Sequence, residues 1–190
     1  MAPRNMSAAM TPITSLRTIL LLGAALCGGA SEAATQGTVG ATSSGSISIS
    51  LSVAGRVQIS GLSDVAFVAV SPDAAAVSAQ SLCVWSNTAT KGYSVTASGS
   101  GAGDAFELSG PANTAAYAVA WSDAAGQTAG TPLSAGAALS GLTSSASSPD
   151  CSTGGAASSS LIVTVDPATL QAATPDTTYT GALNLLVTPQ

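Results

Sequence analysis

Ser46-Ile47-Ser48-Ile49-Ser50-Leu51-Ser52-Val53 is the clearest strict alternation in the chain, with Ile47, Ile49, Leu51 and Val53 on one side and serines on the other. A period of two matches a pleated strand, whose successive side chains point to opposite faces, and it does not match the 3.6-residue helical turn. Val57 and Ile59 carry the pattern past the break at Ala54-Gly55. The same period returns in Cys83 and Trp85, in Tyr93, Val95 and Ala97, in Phe106 and Leu108, and in Tyr117, Val119 and Trp121. It closes with Leu161, Val163 and Val165, stopped by Asp166-Pro167, and with Tyr179, Leu183, Leu185 and Val187, where Gly181 completes the spacing. Gly, Ser, Pro and Asn clusters at 98–104, 124–132 and 144–159 read as loops. No stretch after residue 33 carries a helical stripe; 73–80 and 167–172 each have room for one turn. Many short strands punctuated by turns predict an all-β fold, a sandwich of two antiparallel sheets. The aromatics, all but Phe67 of which fall in or beside these strands, are expected to fill its core.

The first residues predict export. Arg4 and Arg17 precede an apolar run from Ile19 to Leu26, and small residues follow from Cys27 to Ala33. A basic start, a short apolar centre and a small-x-small site (Ser31 and Ala33) have the form of a secretory leader cleaved after Ala33. The run is well short of the roughly 20 residues that span a bilayer, so no membrane span is expected in the mature chain. Residues 34–45 then read as a flexible N-terminal arm, and 46–190 as a single sandwich domain.

Beyond the leader, the basic residues are Arg56 and Lys91, against eight acids, a formal charge of about −6. Such a surface repels phosphate backbones, so a nucleic-acid partner is not expected. Two cysteines remain, Cys83 and Cys151. An even count in an exported chain predicts a disulfide, with two free buried thiols as the alternative. Two distant cysteines without histidine do not make a usual zinc site, and no metal is expected.

The chain contains no histidine, which removes the usual Ser-His and Cys-His pairs. Lys91 is the sole lysine after the leader, in a Lys91-Gly92 turn. No phosphate loop or dinucleotide fingerprint is present, so no cofactor is expected. The acids are scattered, and the expectation is a protein without catalytic residues.

The order of these segments resembles that of Csu-type chaperone–usher pilus subunits and the related spore coat protein U-like secreted domains. The matching stretches are Cys83-Val84-Trp85-Ser86-Asn87, Tyr93-Ser94-Val95-Thr96-Ala97, Tyr117-Ala118-Val119-Ala120-Trp121 and Tyr179 to Val187. The resemblance covers roughly residues 46–190. It implies an incomplete immunoglobulin-like sandwich, completed when a periplasmic chaperone and then a neighbouring subunit inserts a donor strand. The implied partners are that chaperone, an usher and neighbouring subunits, and the implied route runs through the periplasm to the cell surface or fimbrium. On this reading Tyr179, Leu183, Leu185 and Val187 line the groove, and Ile47, Ile49, Leu51 and Val53 form either the donor strand or an ordinary first strand paired within the domain. Three other readings remain open. One is a carbohydrate-binding sandwich that uses Trp85, Tyr93, Tyr117 or Trp121 as a stacking platform. Another is a catalytic domain with converging carboxylates, and the last a self-contained secreted structural domain.

Overall fold

The computed structural model describes residues 33–153 and 157–190. The secretory leader expected over residues 1–33 lies, except for Ala33, outside the described residues. The chain forms two units, one ending at Leu51 and one running from Ser52 to Gln190. In the first, Thr35 and Ser46 form an antiparallel bridge, with Thr35 N–H donating to Ser46 O at 2.9 Å and Ser46 N–H to Thr35 O at 3.1 Å. Every residue from 33 to 51 is exposed.

The second unit is almost entirely β. Its strands are β1 (Val57–Ser60), β2 (Ala76–Ser86), β3 (Gly92–Gly99), β4 (Glu107–Ser109), β5 (Thr114–Ala116), β6 (Ala118–Ser122), β7 (Thr131–Pro132), β8 (Ala138–Thr143), β9 (Ser159–Val165) and β10 (Leu183–Pro189). One short helix, α1 (Pro167–Ala172), begins where Asp166-Pro167 ends β9, with proline in the first helical turn where its missing N–H costs nothing. The strands form a five-stranded sheet ordered β1-β2-β9-β6-β7 and a three-stranded sheet ordered β10-β3-β8, with β4 and β5 as a separate hairpin. Every ladder is antiparallel.

The two sheets share one apolar core. Leu82 and Val84 of β2, Val119 and Trp121 of β6, and Leu161, Val163 and Val165 of β9 come from the larger sheet; Tyr93, Val95 and Ala97 of β3 come from the smaller. Each large apolar side chain removed from water contributes about 1.5–3 kcal/mol. This core is the sandwich expected from the alternating pattern. At its centre the Tyr93 ring meets Trp121 edge-on, with centroids 6.4 Å apart. The Tyr93 hydroxyl accepts from Trp121 Nε1 at 3.1 Å and pairs with Ser159 Oγ at 2.9 Å. Two buried aromatic polar groups are thereby satisfied.

Cys83 and Cys151 form the expected disulfide, with Cα atoms 5.9 Å apart and a sequence separation of 68. It fastens the loop before β9 to the end of β2. The same loop is held by Ser158, whose hydroxyl accepts from Val84 N–H at 2.9 Å and donates to Val84 O at 2.8 Å, and by the buried Ser144 hydroxyl, which also donates to Val84 O.

Several expectations are corrected. The sheets begin at Val57, and residues 47–53 form no strand: among the described residues their backbone makes no hydrogen bond. The first strand of the sheets is β1. Residues 76–80 form no helical turn but the start of β2, because pairing with β9 (Ala76 opposite Val165 to Gln80 opposite Leu161) overrides the helix preference of alanine. Trp85 is only half-buried, since Leu82 and Val84 occupy the core face of β2 and Trp85 takes the opposite one. The C-terminal strand starts at Leu183 rather than at Tyr179.

Candidate strand-binding groove

β10 is the last strand of the smaller sheet and pairs only with β3 among the described residues. The register runs from Leu183 opposite Gly99 to Pro189 opposite Tyr93. Gln190 N–H donates to Gly92 O at 3.0 Å, which fixes the alternation: residues 184, 186 and 188 turn their backbone groups to β3. Leu183, Leu185 and Val187 then turn theirs to the vacant side. Pro189 falls in that second set. Its missing N–H faces the vacant side and costs the β3 ladder nothing, the placement that proline takes on an edge strand.

Inward along β10, Leu183, Leu185 and Val187 are half-buried, while Asn184, Leu186 and Thr188 face solvent. Between β10 and the larger sheet lies an open cavity of about 620 Å³. Leu161, Val163 and Val165 of β9 form its floor, Leu183 and Leu185 one wall, and Val65 and Phe67 of the β1–β2 connection cross it. Val187 packs on the core beyond the cavity. Tyr117 adds its ring to the floor, stacked at a tilt on Phe106 with centroids 5.7 Å apart. Burial raises the Tyr117 phenol above its ordinary value, because the ionised form would lose its water. A second cavity of about 920 Å³ shares Val65, Phe67, Leu108, Val165 and Gly181 with the first and extends it toward α1 and Tyr179.

Tyr179 closes the far end. Its hydroxyl accepts from Thr174 N–H at 2.9 Å and donates to Asn113 Oδ1. The hydrogen bond from the Thr174 backbone draws its pKa below the ordinary phenol value. The ring lies against Gly110, where an added Cβ would sit 2.5 Å from ring carbon Cε1, so any larger residue there would push the ring aside. Thr180 and Ser109 exchange backbone hydrogen bonds at 3.0 and 2.8 Å, and Ala182 N–H donates to Ser100 Oγ at 3.0 Å. These partners occupy the backbone of 180–182, which is why the regular strand starts only at Leu183.

No protein-family model matches the chain, and no curated protein matches it.

Of the residues singled out from sequence, Leu183 and Leu185 line the cavity, Val187 stands next to it, and Tyr179 belongs to its adjoining end. Ile47, Ile49, Leu51 and Val53 are exposed, at 74, 86, 90 and 78 %. Tyr93, Tyr117 and Trp121 are buried, so with Trp85 they do not form a solvent-facing aromatic platform. Sequence reasoning missed the roles of Val65 and Phe67. Their alternation with Asp64, Ala66 and Val68 was the available signal. Among the described residues no group of three acidic, histidine or cysteine side chains is placed to hold a metal, and no helix is long and apolar enough to cross a membrane. The cavity floor and the β10 wall carry apolar side chains, while Ser63, Gln80 and Asp64, the single charged lining residue, make its remaining edge polar. Chemically, such a surface has room for an extended segment: Leu183, Leu185 and Val187 offer main-chain groups on the vacant side, and alternate side chains of such a segment could enter the cavity.

Proposed function

We propose that the chain is a structural subunit of a surface fibre, exported and then assembled head to tail by β-strand addition. The observation that carries this reading is a coincidence within one molecule. An edge strand, vacant on one side among the described residues, stands beside an open cavity floored by apolar side chains, and a run of four alternating apolar side chains stands exposed on the same chain. Insertion of residues 46–53 of one copy along β10 of the next is a heterologous contact, which propagates into a filament rather than closing on itself. Burying Ile47, Ile49, Leu51 and Val53 contributes roughly 6–12 kcal/mol at about 1.5–3 kcal/mol each, against an association cost of about 4–15 kcal/mol. Affinity therefore depends on all four side chains reaching the groove. The Csu-type resemblance fits the same scheme, with a periplasmic chaperone covering the groove in transit and an usher exporting the subunit.

Assembly of the exported chain, followed by size-exclusion chromatography and electron microscopy, tests the reading. The wild type should form linear polymers on release from its chaperone. Ile49→Asp with Leu51→Asp should leave a folded monomer that can accept a donor strand but not supply one. Polymers from that double variant, or a wild type that stays monomeric, would overturn the proposal.

A further inference from the structure

Residues 64–70, Asp-Val-Ala-Phe-Val-Ala-Val, cross the mouth of the groove without joining either sheet. Among the described residues their backbone makes no hydrogen bond. The segment is pinned at its two ends instead. Gln80 clamps Ser63, its Oε1 accepting from Ser63 N–H at 2.9 Å and its Nε2 donating to Ser63 O at 3.1 Å. Gln171 of α1 holds the other end, its Nε2 donating to Pro72 O at 3.2 Å. Between the clamps, Val65 and Phe67 turn inward and are half-buried, while Ala66 and Val68 face out, Val68 at 81 % exposure. Ala69 sits at φ 50°, a left-handed conformation that a residue with a Cβ adopts at a cost.

We infer that this strap is an internal, displaceable occupant of the groove. It places two alternating apolar side chains, Val65 and Phe67, where an incoming strand would place its own, yet forms none of the main-chain ladder that such a strand would make with β10. A segment with two side-chain anchors, no backbone pairing and a strained residue opens at low cost. It covers apolar surface while the subunit is alone and yields to a partner that adds both anchors and ladder bonds. Strand addition then proceeds by exchange, and the strap sets its rate. The inference rests on the fibre-subunit reading and adds a regulatory step to it.

The acceptor for the test is the exported chain carrying Ile49→Asp and Leu51→Asp, so that its own arm is silent. The probe is a fluorescent synthetic peptide of residues 45–55, with association followed by anisotropy. Adding Val65→Ser and Phe67→Ser should raise the association rate about tenfold, the factor equivalent to about 1.4 kcal/mol of lost anchoring. An equal or slower rate would overturn the strap and leave the groove standing, because Val65 and Phe67 would then be walls rather than occupants. Absence of peptide binding to either acceptor would overturn the fibre reading and the strap with it. Should the serine variant fail to fold, the acceptor with its strap intact supplies the answer: saturating peptide should increase chymotryptic cleavage after Phe67, and unchanged or reduced cleavage would overturn the inference.

Discussion

Replacing both Cys83 and Cys151 by alanine should cost about 3–4 kcal/mol of folding stability without changing the fold. The bond closes a sequence separation of 68 that contains β3 to β8. A loop of that length, tied in the unfolded chain, gives roughly 4 kcal/mol from restricted chain entropy. Cys151 stands at φ 55°, and relaxation of this left-handed residue once the tie is cut returns about 1 kcal/mol. The loop keeps other anchors, since Ser144 and Ser158 still bond to Val84, so the folded state of the variant should retain its far-ultraviolet circular dichroism. In equilibrium urea unfolding, a loss of this size at a slope of about 1.5–2 kcal/mol/M lowers the midpoint by about 2 M. The slope itself should rise, because the untied unfolded chain exposes more surface. A midpoint shift below about 0.5 M would refute the reasoning, since the unfolded chain would then be no freer without the bond.

Tyr93→Phe leaves Trp121 Nε1 and Ser159 Oγ without their partner in the core and should cost about 1–3 kcal/mol by denaturant titration. Combining it with Ser159→Ala should recover part of that loss, because the second orphan is removed. Burial raises the phenols of Tyr93 and Tyr117 above the ordinary 10.0. Their contribution to stability is therefore complete below that value and is lost as pH rises from it through the folded pKa values. Thermal unfolding followed from about pH 8 to pH 11 should show this decline, with a shallower slope in Tyr93→Phe. Gly99→Ala should be strongly destabilising, because its Cβ would lie 2.0 Å from the backbone oxygen of Ala105; a loss under about 1 kcal/mol would show that the turn gives way at little cost.

The core was legible in the sequence because alternation reports faces. Tyr93, Val95 and Ala97, then Tyr117, Val119 and Trp121, then Leu161, Val163 and Val165, are buried as their period requires. The ends of α1 were legible too, since Asp166-Pro167 both stops a strand and starts a helix. Two things were not. The run 46–53 has the strongest period in the chain yet belongs to no sheet, because alternation states which side chains share a face and not whether a partner strand is present. The start of β2 hid in alanines whose local preference opposes the pairing that β9 imposes. The groove was half legible: Leu183 and Leu185 announced an inward face, but the vacancy beside them is a property of sheet order. The alternation of Val65 and Phe67 marks an inward face, but it does not say that residues 61–70 leave the sheet edge to cross the cavity.

Pro189 gives the vacant edge a terminus. A visiting strand can draw on the amides of Leu183, Leu185 and Val187, and the next position in that series has none to give. Sliding a visitor by one residue would present its serines to the cavity, and sliding it by two toward the carboxyl end would waste a bond on the proline ring. Pro189 thus sets the limit of the alignment at the carboxyl end. On the proposed strand addition, a short rail with a built-in stop would measure its guest, and the same stop would keep the open edge from zipping indefinitely onto unrelated chains.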